Sequence, residues 1–299
     1  MNPGVLYAAL AFCAWGLFPL YFHLLASVAP MEVVLHRAVW CLVFLAGVLA
    51  VRRQWAWLGV ALRQPRVLLW TGASALVLGV NWLLYIVALQ NGRVVEASLG
   101  YFINPLVNVL LGVLVLRERL LAVQRVAVGL AACGVAWLTW LTGHLPWYAL
   151  SLAFTFALYG LLRKTSPLGP LEGLALETLL VAPLALPWLA WWTVSADGVL
   201  LRGDAVLTFW VLLAGPLTAL PLMLFAAAAR RLRLATVGLM QYISPTLQLA
   251  CGVFFFREPF DTDKLVGFAF IWAALALYSV HALRQAALSE RPSRSSSQP

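Results

Sequence analysis

Charged residues are scarce in this chain of 299 residues, in which Asp, Glu, Lys and Arg together make up 10%. A soluble domain usually carries about a quarter of such residues. Hydrophobic residues account for 63% of the sequence. A water-soluble fold of this size cannot hide so much apolar surface, so the solvent around the chain must be lipid. The composition predicts an integral membrane protein.

Acidic residues are rarer than basic ones, which gives a formal net charge of +9. A nucleic-acid-binding protein needs its Lys and Arg on one exposed face. Here they stand in short spacers between apolar runs, a pattern that is typical of membrane topology. We therefore expect the lipid bilayer and a small molecule as partners, and no nucleic acid.

Cysteine and catalytic motifs are also scarce. The four cysteines all fall inside apolar runs without a CxxC pair, which predicts small buried side chains, no disulfide and no metal site. The sequence contains no Walker motif and no GxSxG, HExxH or clustered DxD pattern. It thus predicts a protein that is not an enzyme, is not driven by ATP and has no cofactor.

Apolar runs long enough to cross a bilayer fill most of the chain. About 17–25 residues suffice for a span. The first run lacks a basic region before it and is followed at once by Pro30, so we interpret it as a retained helix and not as a signal peptide. The predicted fold is an all-α integral membrane protein of ten transmembrane helices, followed by a disordered cytoplasmic tail over 285–299. The ten runs cover residues 4–24, 32–51, 67–89, 94–116, 122–141, 145–162, 171–193, 205–229, 235–256 and 264–283.

The basic residues are distributed unequally over alternate spacers. If the N-terminus is cytoplasmic, fifteen of the 20 Lys and Arg residues fall on the inner side or in the tail. Four fall outside, namely Arg93, Arg202, Arg257 and Lys264, and Arg37 lies within a span. This bias follows the positive-inside rule and predicts that both termini are cytoplasmic.

An internal repeat occurs at an offset of 140 residues. Residues of the first half match the second half without a gap at Leu99, Ile103, Pro105, Gly112, Val113, Arg117 and Glu118, which correspond to Leu239, Ile243, Pro245, Gly252, Val253, Arg257 and Glu258. Because each repeat contains five spans, the two repeats must have opposite orientations in the membrane. We predict inverted five-helix repeats over 1–143 and 144–284, which is typical of alternating-access transporters.

Charged residues within spans are the first candidates for function, because each costs at least about 2.5–3.5 kcal/mol on insertion. Arg37 and Glu177 occupy equivalent positions under the offset. Each lies about six residues, or roughly 9 Å, inside its helix start, from opposite membrane faces. We therefore expect them in separate halves of a cavity, not paired, and Glu96 is the better ion-pair candidate for Arg37. The alternative is a structural pair or cap, and capping is the preferred role for Glu32 and Glu172.

Two related helices carry matching polar residues around a proline. Asn104 and Asn108 flank Pro105 at a spacing of four residues, hence on one helix face. Their counterparts are Ser244 and Gln248, with Gln241 one turn earlier. We interpret these residues as the wall of a polar central site, with interhelical hydrogen bonding as the open alternative.

Aromatic and histidine residues complete the candidates. We expect Trp15, Trp82, Tyr85, Tyr101 and Tyr242 to line a pathway for an organic solute, and most other tryptophans to lie at the membrane interfaces. His36 stands beside Arg37 on a different helix face, and we assign it no role.

Five segments of the sequence carry a recognisable pattern, namely residues 32–40 (EVVLHRAVW), 81–86 (NWLLYI), 96–106 (EASLGYFINPL), 154–164 (FTFALYGLLRK) and 238–248 (GLMQYISPTLQ). These segments resemble the RarD family of EamA-type transporters in the drug/metabolite transporter superfamily. The resemblance runs over roughly residues 3–284, with Cys41 as a small departure where Ser is expected. It implies a bacterial inner-membrane exporter of small metabolites or amino acids, with a family label of chloramphenicol sensitivity that defines no substrate. It also implies that helices 1–4 and 6–9 surround the cavity while helices 5 and 10 pack outside.

We thus expect a secondary transporter that exports small organic metabolites, amino acids or drug-like solutes by alternating access. The candidate substrate-binding residues are Arg37, Asn81, Tyr85, Tyr101, Asn104, Asn108, Glu177, Gln241, Tyr242, Ser244 and Gln248. Arg37, Glu96 and Glu177 are candidates for gating or ion pairing, and Glu177 or Glu96 could take up a coupling proton. The alternatives are a channel or a membrane enzyme that acts on lipid-linked substrates.

Overall fold

The structure is a computed structural model that describes residues 2–90, 94–141, 143, 145–195, 198–257 and 262–289. Within these helices the side chains of residues 86, 89–90, 94–98, 264, 279 and 282–289 are not described. The described residues are almost entirely helical, and they form no β-strand. The all-α fold is confirmed.

Seven helices form the N-terminal half. Their bounds are α1 (Pro3–Gly16), α2 (Phe18–Leu24), α3 (Pro30–Arg52), α4 (Ala56–Leu62), α5 (Pro65–Gln90), α6 (Val94–Leu114) and α7 (Ala122–Leu141). Proline begins α1, α3 and α5, where its fixed φ suits a first turn and its missing N–H costs nothing. Asn2 also caps α1, because its Oδ1 accepts a hydrogen bond of 2.9 Å from the backbone N of Gly4.

Six helices form the C-terminal half. Their bounds are α8 (Trp147–Thr165), α9 (Pro170–Ser195), α10 (Ala205–Arg231), α11 (Leu234–Gln241), α12 (Ile243–Ala250) and α13 (Thr262–Ser289). A 3₁₀ turn over Val199–Leu201 precedes α10, and a π-helical turn over Cys251–Phe255 continues α12.

The described helices overlap each of the ten apolar runs predicted from the sequence. Six segments are long and apolar enough to cross a membrane, and two shorter apolar segments are found at Leu99–Leu114 and Leu265–Tyr278. The six segments are Pro3–Leu24, Pro30–Arg52, Pro65–Tyr85, Ala122–Leu141, Pro170–Ser195 and Ala205–Arg231. The chain is therefore a multi-pass membrane protein, and the count of exactly ten crossings stays a prediction.

The 140-residue repeat is visible in the backbone. Arg117 and Arg257, which correspond under the offset, both have a left-handed conformation, with φ of 54° and 56°. Non-glycine residues adopt this conformation rarely, and it commonly ends a helix. In both repeats, a residue in the left-handed conformation thus follows the fourth span.

The repeats also differ. Pro105 lies inside the continuous helix α6, whereas the equivalent region of the second repeat breaks at Tyr242 between α11 and α12. The two regions cross closely, since a Cβ added to Gly238 would stand 2.6 Å from the carbonyl oxygen of Pro105. Only glycine permits this approach of one backbone to the other.

The repeats interleave instead of packing as two blocks. Helix α6 packs on α8 and α11, α3 packs on α9 and α10, and α1 packs on α10 and α12. Helices α7 and α13 pack on each other through Gly134, where an added Cβ would stand 2.6 Å from the oxygen of Gly267. This interleaving places side chains from both repeats around a common interior.

Candidate substrate cavity

A cavity of about 350 Å³ lies between the two repeats. It is lined from α1, α2, α3, α5 and α6 of the first repeat and from α8, α10, α11 and α12 of the second, whereas α7 and α13 contribute no described lining residue. Eight of the predicted site residues line it: Arg37, Asn81, Tyr85, Tyr101, Asn104, Gln241, Ser244 and Gln248. Ligand pockets in proteins usually span about 300–1,000 Å³, so this cavity suits a small solute.

The cavity lies toward one end of the bundle. Its residues come from the last ten residues of α5 and from the first half of α3, α6 and α8. Short connections join the end of α2 to the start of α3 and the end of α5 to the start of α6, so these termini share one face of the protein. We call this face the cavity face and the other the closed face.

Arg37 is the one charged residue among the described residues that line the cavity. Its Nε donates a hydrogen bond of 3.1 Å to Thr218 Oγ1 of α10. Its guanidinium carbon lies 5.2 Å from the ring centre of Trp82, 5.7 Å from Phe22 and 5.9 Å from Phe18. Arg37 forms no ion pair with any carboxylate whose side chain is described. Its charge is thus stabilised mainly by ring faces, which attract cations.

The side chain of Glu96, the predicted partner of Arg37, lies outside the residues whose side chains the structure describes. The pairing of Arg37 with Glu96 therefore stays a prediction.

Glu177 does not line the cavity. It is almost fully buried between α9, α8 and α5, where its Oε1 lies 3.2 Å from Arg163 Nη1. Ser74 Oγ donates to Glu177 at 2.6 Å, and the Tyr159 hydroxyl donates at 3.3 Å. We expected Glu177 in the inner half of a cavity, whereas the structure places it in a buried ion pair, outside the cavity described above.

The partner of Glu177, Arg163, was not among the candidate residues predicted from the sequence. Its guanidinium also donates to the carbonyl oxygens of Gly169 and Pro170, at 3.2 Å each. Gly173 leaves room for it, because an added Cβ there would stand 2.0 Å from Arg163 Nη1. Arg163 lies in the last turn of α8, next to a basic spacer, and was therefore counted only as evidence for the membrane topology. Its burial as the partner of Glu177 was not predicted.

The predicted amides form an interhelical network. Asn108 Nδ2 donates to Asn104 Oδ1 at 3.0 Å and to Gln241 Oε1 at 2.8 Å, which connects α6 to α11. Asn104 and Gln241 face the cavity, whereas Asn108 is fully buried behind them. The amides thus line the cavity and also form the interhelical hydrogen bonds that were the open alternative, and their role in a solute site stays a prediction.

Other polar lining residues are bound to neighbouring helices. Asn81 Nδ2 donates to Thr155 Oγ1 at 2.8 Å and to the carbonyl oxygen of Leu152 at 3.0 Å. Ser244 Oγ and Gln248 Nε2 donate to backbone carbonyls of α1, those of Phe12 and Trp15. Tyr242 is fully buried and does not line the cavity.

Aromatic side chains fill the interior between the cavity and the closed face. Phe225 packs edge-on against Phe12, with 6.2 Å between ring centres, and lies parallel to Tyr159 at 6.3 Å. Phe12, Phe225 and Tyr159 are fully buried. Phe225 also contacts the cavity-lining rings of Trp15 and Phe156, with 5.6 Å and 5.4 Å between ring centres. This cluster therefore connects the cavity wall to Tyr159, which bonds Glu177.

Polar contacts hold the closed face together. The carboxylate of Glu118 accepts hydrogen bonds from the backbone N of Leu234 at 2.8 Å and of Ala235 at 3.1 Å, which caps α11. Lys164 Nζ lies 3.7 Å from Glu118 and donates to the carbonyl oxygens of Ala229 and Leu232. The loop after α6 of the first repeat is thereby tied to the second repeat.

A multi-pass helical protein with a cavity between two related halves has the architecture of a membrane carrier. The EamA-like transporter family matches the chain twice, over residues 2–140 and 146–280. The chain therefore belongs to the EamA-like transporter family, of the RarD type in the drug/metabolite transporter superfamily, and it is a membrane transporter.

Relatives and a solved structure agree with this assignment. An uncharacterized transporter of Pseudomonas aeruginosa is 44% identical over 95% of both chains. The protein RarD of Salmonella typhi is 44% identical over 94% of this chain and 95% of its own. A solved crystal structure that is 18% identical has the same fold, with a TM-score of 0.71 over 94% of this chain and 98% of the other. The family and the names of these relatives indicate a transporter.

Proposed function

We propose that the protein is a secondary transporter that exports small organic solutes bearing a carboxylate or another anionic group. The observation that carries this proposal is Arg37, a cation at the cavity wall for which no described carboxylate acts as a partner. A charge that is removed from water without a partner is costly, and an anionic solute would compensate it. Amino acids and drug-like solutes fall within the proposal when they bring such a group.

The position of Glu177 bears on the choice between anions and zwitterions. A zwitterion needs an anionic group to bind its ammonium, and Glu177 is occupied by Arg163, Ser74 and Tyr159. The described cavity lining offers only neutral amides, hydroxyls and rings for that purpose. The geometry therefore favours a monoanion with an apolar body, which the aromatic wall of Trp15, Phe22 and Phe156 would bury.

Alternating access is the mechanism that suits this arrangement. The cavity lies toward one face, and the opposite face is closed by aromatic packing and by the cap that Glu118 places on α11. Inverted repeats allow the same chain to close the cavity face and open the other by exchanging the conformations of its halves. The solute would remain near Arg37 while access to it changes sides.

We further propose that the protein lies in the bacterial inner membrane with both termini in the cytoplasm. The unequal distribution of Lys and Arg supports this orientation, because basic spacers remain inside. The cavity face is then the outer face. The two family matches support a division into repeats at about residues 143–144.

The test uses purified protein reconstituted into liposomes. Binding of phenylacetate, phenylalanine and phenethylamine compares an anion, a zwitterion and a cation on one aromatic body, by calorimetry. Counterflow of labelled benzenesulfonate, whose permanent charge limits leakage, then measures transport. We expect phenylacetate to bind and phenethylamine not to bind, and we expect saturable counterflow.

The matched variants are Arg37→Gln and Arg66→Gln, the latter at an exposed arginine outside the cavity. Losing a charged hydrogen-bond partner costs about 1.5–3 kcal/mol, so Arg37→Gln should weaken phenylacetate binding about tenfold to a hundredfold. Arg66→Gln should bind like the wild type. Linear flux without counterflow would indicate a channel, and chemical conversion of a probe would indicate an enzyme; either result would overturn the proposal.

A further inference from the structure

A second pair of buried ionisable groups lies outside the cavity, at the start of α3. Glu32 and His36 are both fully buried, and His36 Nε2 lies 3.6 Å from Glu32 Oε1. The Glu32 atom Oε2 and His36 Nε2 have no hydrogen-bond partner among the described residues. Neither side chain takes part in the solute site described above.

The proton on His36 is placed by its neighbour. Trp40 Nε1 donates a hydrogen bond of 3.0 Å to His36 Nδ1. The neutral imidazole therefore carries its own proton on Nε2, directed at the carboxylate of Glu32. A further proton cannot bind Nδ1 without breaking the bond to Trp40, so the free acceptor for it is Glu32 Oε2.

The carboxylate is also a link between the repeats. The backbone N of Val199, in the 3₁₀ turn between α9 and α10, donates to Glu32 Oε1 at 2.7 Å. Gly198 fits close beside it, since an added Cβ there would stand 3.1 Å from that oxygen. Hydrogen bonds to a charged acceptor are roughly twice as strong as neutral ones. A proton on Glu32 would thus weaken the link between α3 and the second repeat at the cavity face.

Other charged groups near this pair are engaged elsewhere. Arg37, next to His36 on α3, bonds Thr218 and faces the cavity. Beyond the turn, Arg202 donates to the carbonyl oxygen of Ser27, and Asp204 accepts from the backbone N of Leu207. From α2, the Tyr21 hydroxyl donates to the carbonyl oxygen of Trp210. No described lysine or arginine forms an ion pair with Glu32, in contrast to Glu177.

We infer that Glu32, with His36 beside it, is the site that binds the proton coupled to transport, an inference that rests on the proposed function. With Glu32 ionised, the pair holds one buried negative charge and the link to Val199 is strong. With a proton on Oε2, the pair is neutral and the link is weak. Proton binding and the conformation of the cavity face are therefore linked, and each shifts the equilibrium of the other.

The sequence provides a matched control in Glu172, which is equivalent to Glu32 under the 140-residue offset and also lies in a first helical turn. The residue four positions later is Leu176, so Glu172 has no histidine beside it. Its Oε2 lies against Gly169, and its side chain is only partly buried.

The first measurement needs no solute. Infrared difference spectra of purified protein between neutral and acidic pH should show a band of a newly protonated buried carboxyl group. Glu32→Gln should remove this band, and Glu172→Gln should keep it. A band that persists in Glu32→Gln would overturn the inference, whatever the protein transports.

The second measurement compares two modes of benzenesulfonate transport in liposomes. In Glu32→Gln, uptake driven by an imposed pH gradient should fall about tenfold, a typical coupling effect, while counterflow without a gradient continues. Glu172→Gln should keep both modes. Retained gradient-driven uptake in Glu32→Gln would contradict the inference, whereas a wild type without any transport would contradict only the proposed function.

Discussion

Arg37 and Glu177 occupy equivalent positions in two inverted repeats, yet their surroundings differ completely. Arg37 faces the cavity with aromatic rings around it, and Glu177 is enclosed by Arg163, Ser74 and Tyr159. The position equivalent to Arg163 in the first repeat is His23, whose ring instead packs 5.2 Å from that of Phe256. Among the side chains that the structure describes, Arg37 therefore has no ionic partner of the kind that Arg163 provides for Glu177. Under the proposed function, one copy of this position serves the ligand and the other is structural.

The largest effect should come from Arg163→Met, which leaves the Glu177 carboxylate buried without its partner. Breaking a buried ion pair costs about 3–5 kcal/mol, so the free energy of unfolding should fall by that amount. Arg37→Met should change the free energy of unfolding far less, because it leaves no described carboxylate buried without a partner. Denaturation of both variants in detergent measures the difference.

The double variant Arg163→Met with Glu177→Leu serves as the control, because it removes both charges and should recover most of the stability. If Arg37→Met destabilises the protein as much as Arg163→Met, the contrast between the two positions is lost.

An intermediate effect is expected for Gly173→Ala. The new methyl group would occupy the place of Arg163 Nη1, 2.0 Å from the ideal Cβ position, and would push the guanidinium away from Glu177. The tip of an arginine moves easily, so the loss is that of the contact and not of the whole pair, about 1–3 kcal/mol of unfolding free energy. Gly47→Ala is the matched control in α3, because an added Cβ there meets no atom within 4 Å. Equal unfolding midpoints for the two variants would show that Arg163 does not need the space at Gly173.

The smallest effect is expected for Tyr159→Phe, which removes one hydrogen bond of 3.3 Å from Glu177 and keeps the ring that stacks on Phe225. A single hydrogen bond contributes about 0.5–1.5 kcal/mol. The unfolding free energy should fall within that range, and binding of phenylacetate should be unchanged because Tyr159 does not line the cavity. Weaker phenylacetate binding would place Glu177 and its neighbours closer to the solute than the structure does.

The helices and the repeat could be predicted because both depend on patterns that are visible along the sequence, namely the length of apolar runs and a fixed offset between matching residues. Apolar length defines a span, and the shared left-handed conformation of Arg117 and Arg257 accompanies the Arg-Glu pattern at the 140-residue offset. Eight of the eleven candidate substrate residues line the cavity. These residues could be predicted because polar side chains within an apolar span must point away from lipid, and their positions are visible in the sequence.

The partners of the charged residues could not be predicted in the same way. Arg163 and Glu177 approach each other only because Gly173 allows it, and nothing in the spacing of the three residues requires that contact. Glu32, His36 and Trp40 did carry a signal, since their spacing of four residues places them on one face of α3. We considered His36 only in relation to its neighbour Arg37, and therefore did not predict its contact with Glu32.

The aromatic surroundings of Arg37 have a consequence for the energetics of the cell. A fixed positive charge in a confined cavity repels other cations, by about 4 kcal/mol at 4 Å for an effective dielectric constant of 20. Under the proposed function, sodium and potassium ions would be repelled by the same side chain that attracts an organic anion. An empty carrier of this kind would change conformation without carrying sodium or potassium across the membrane.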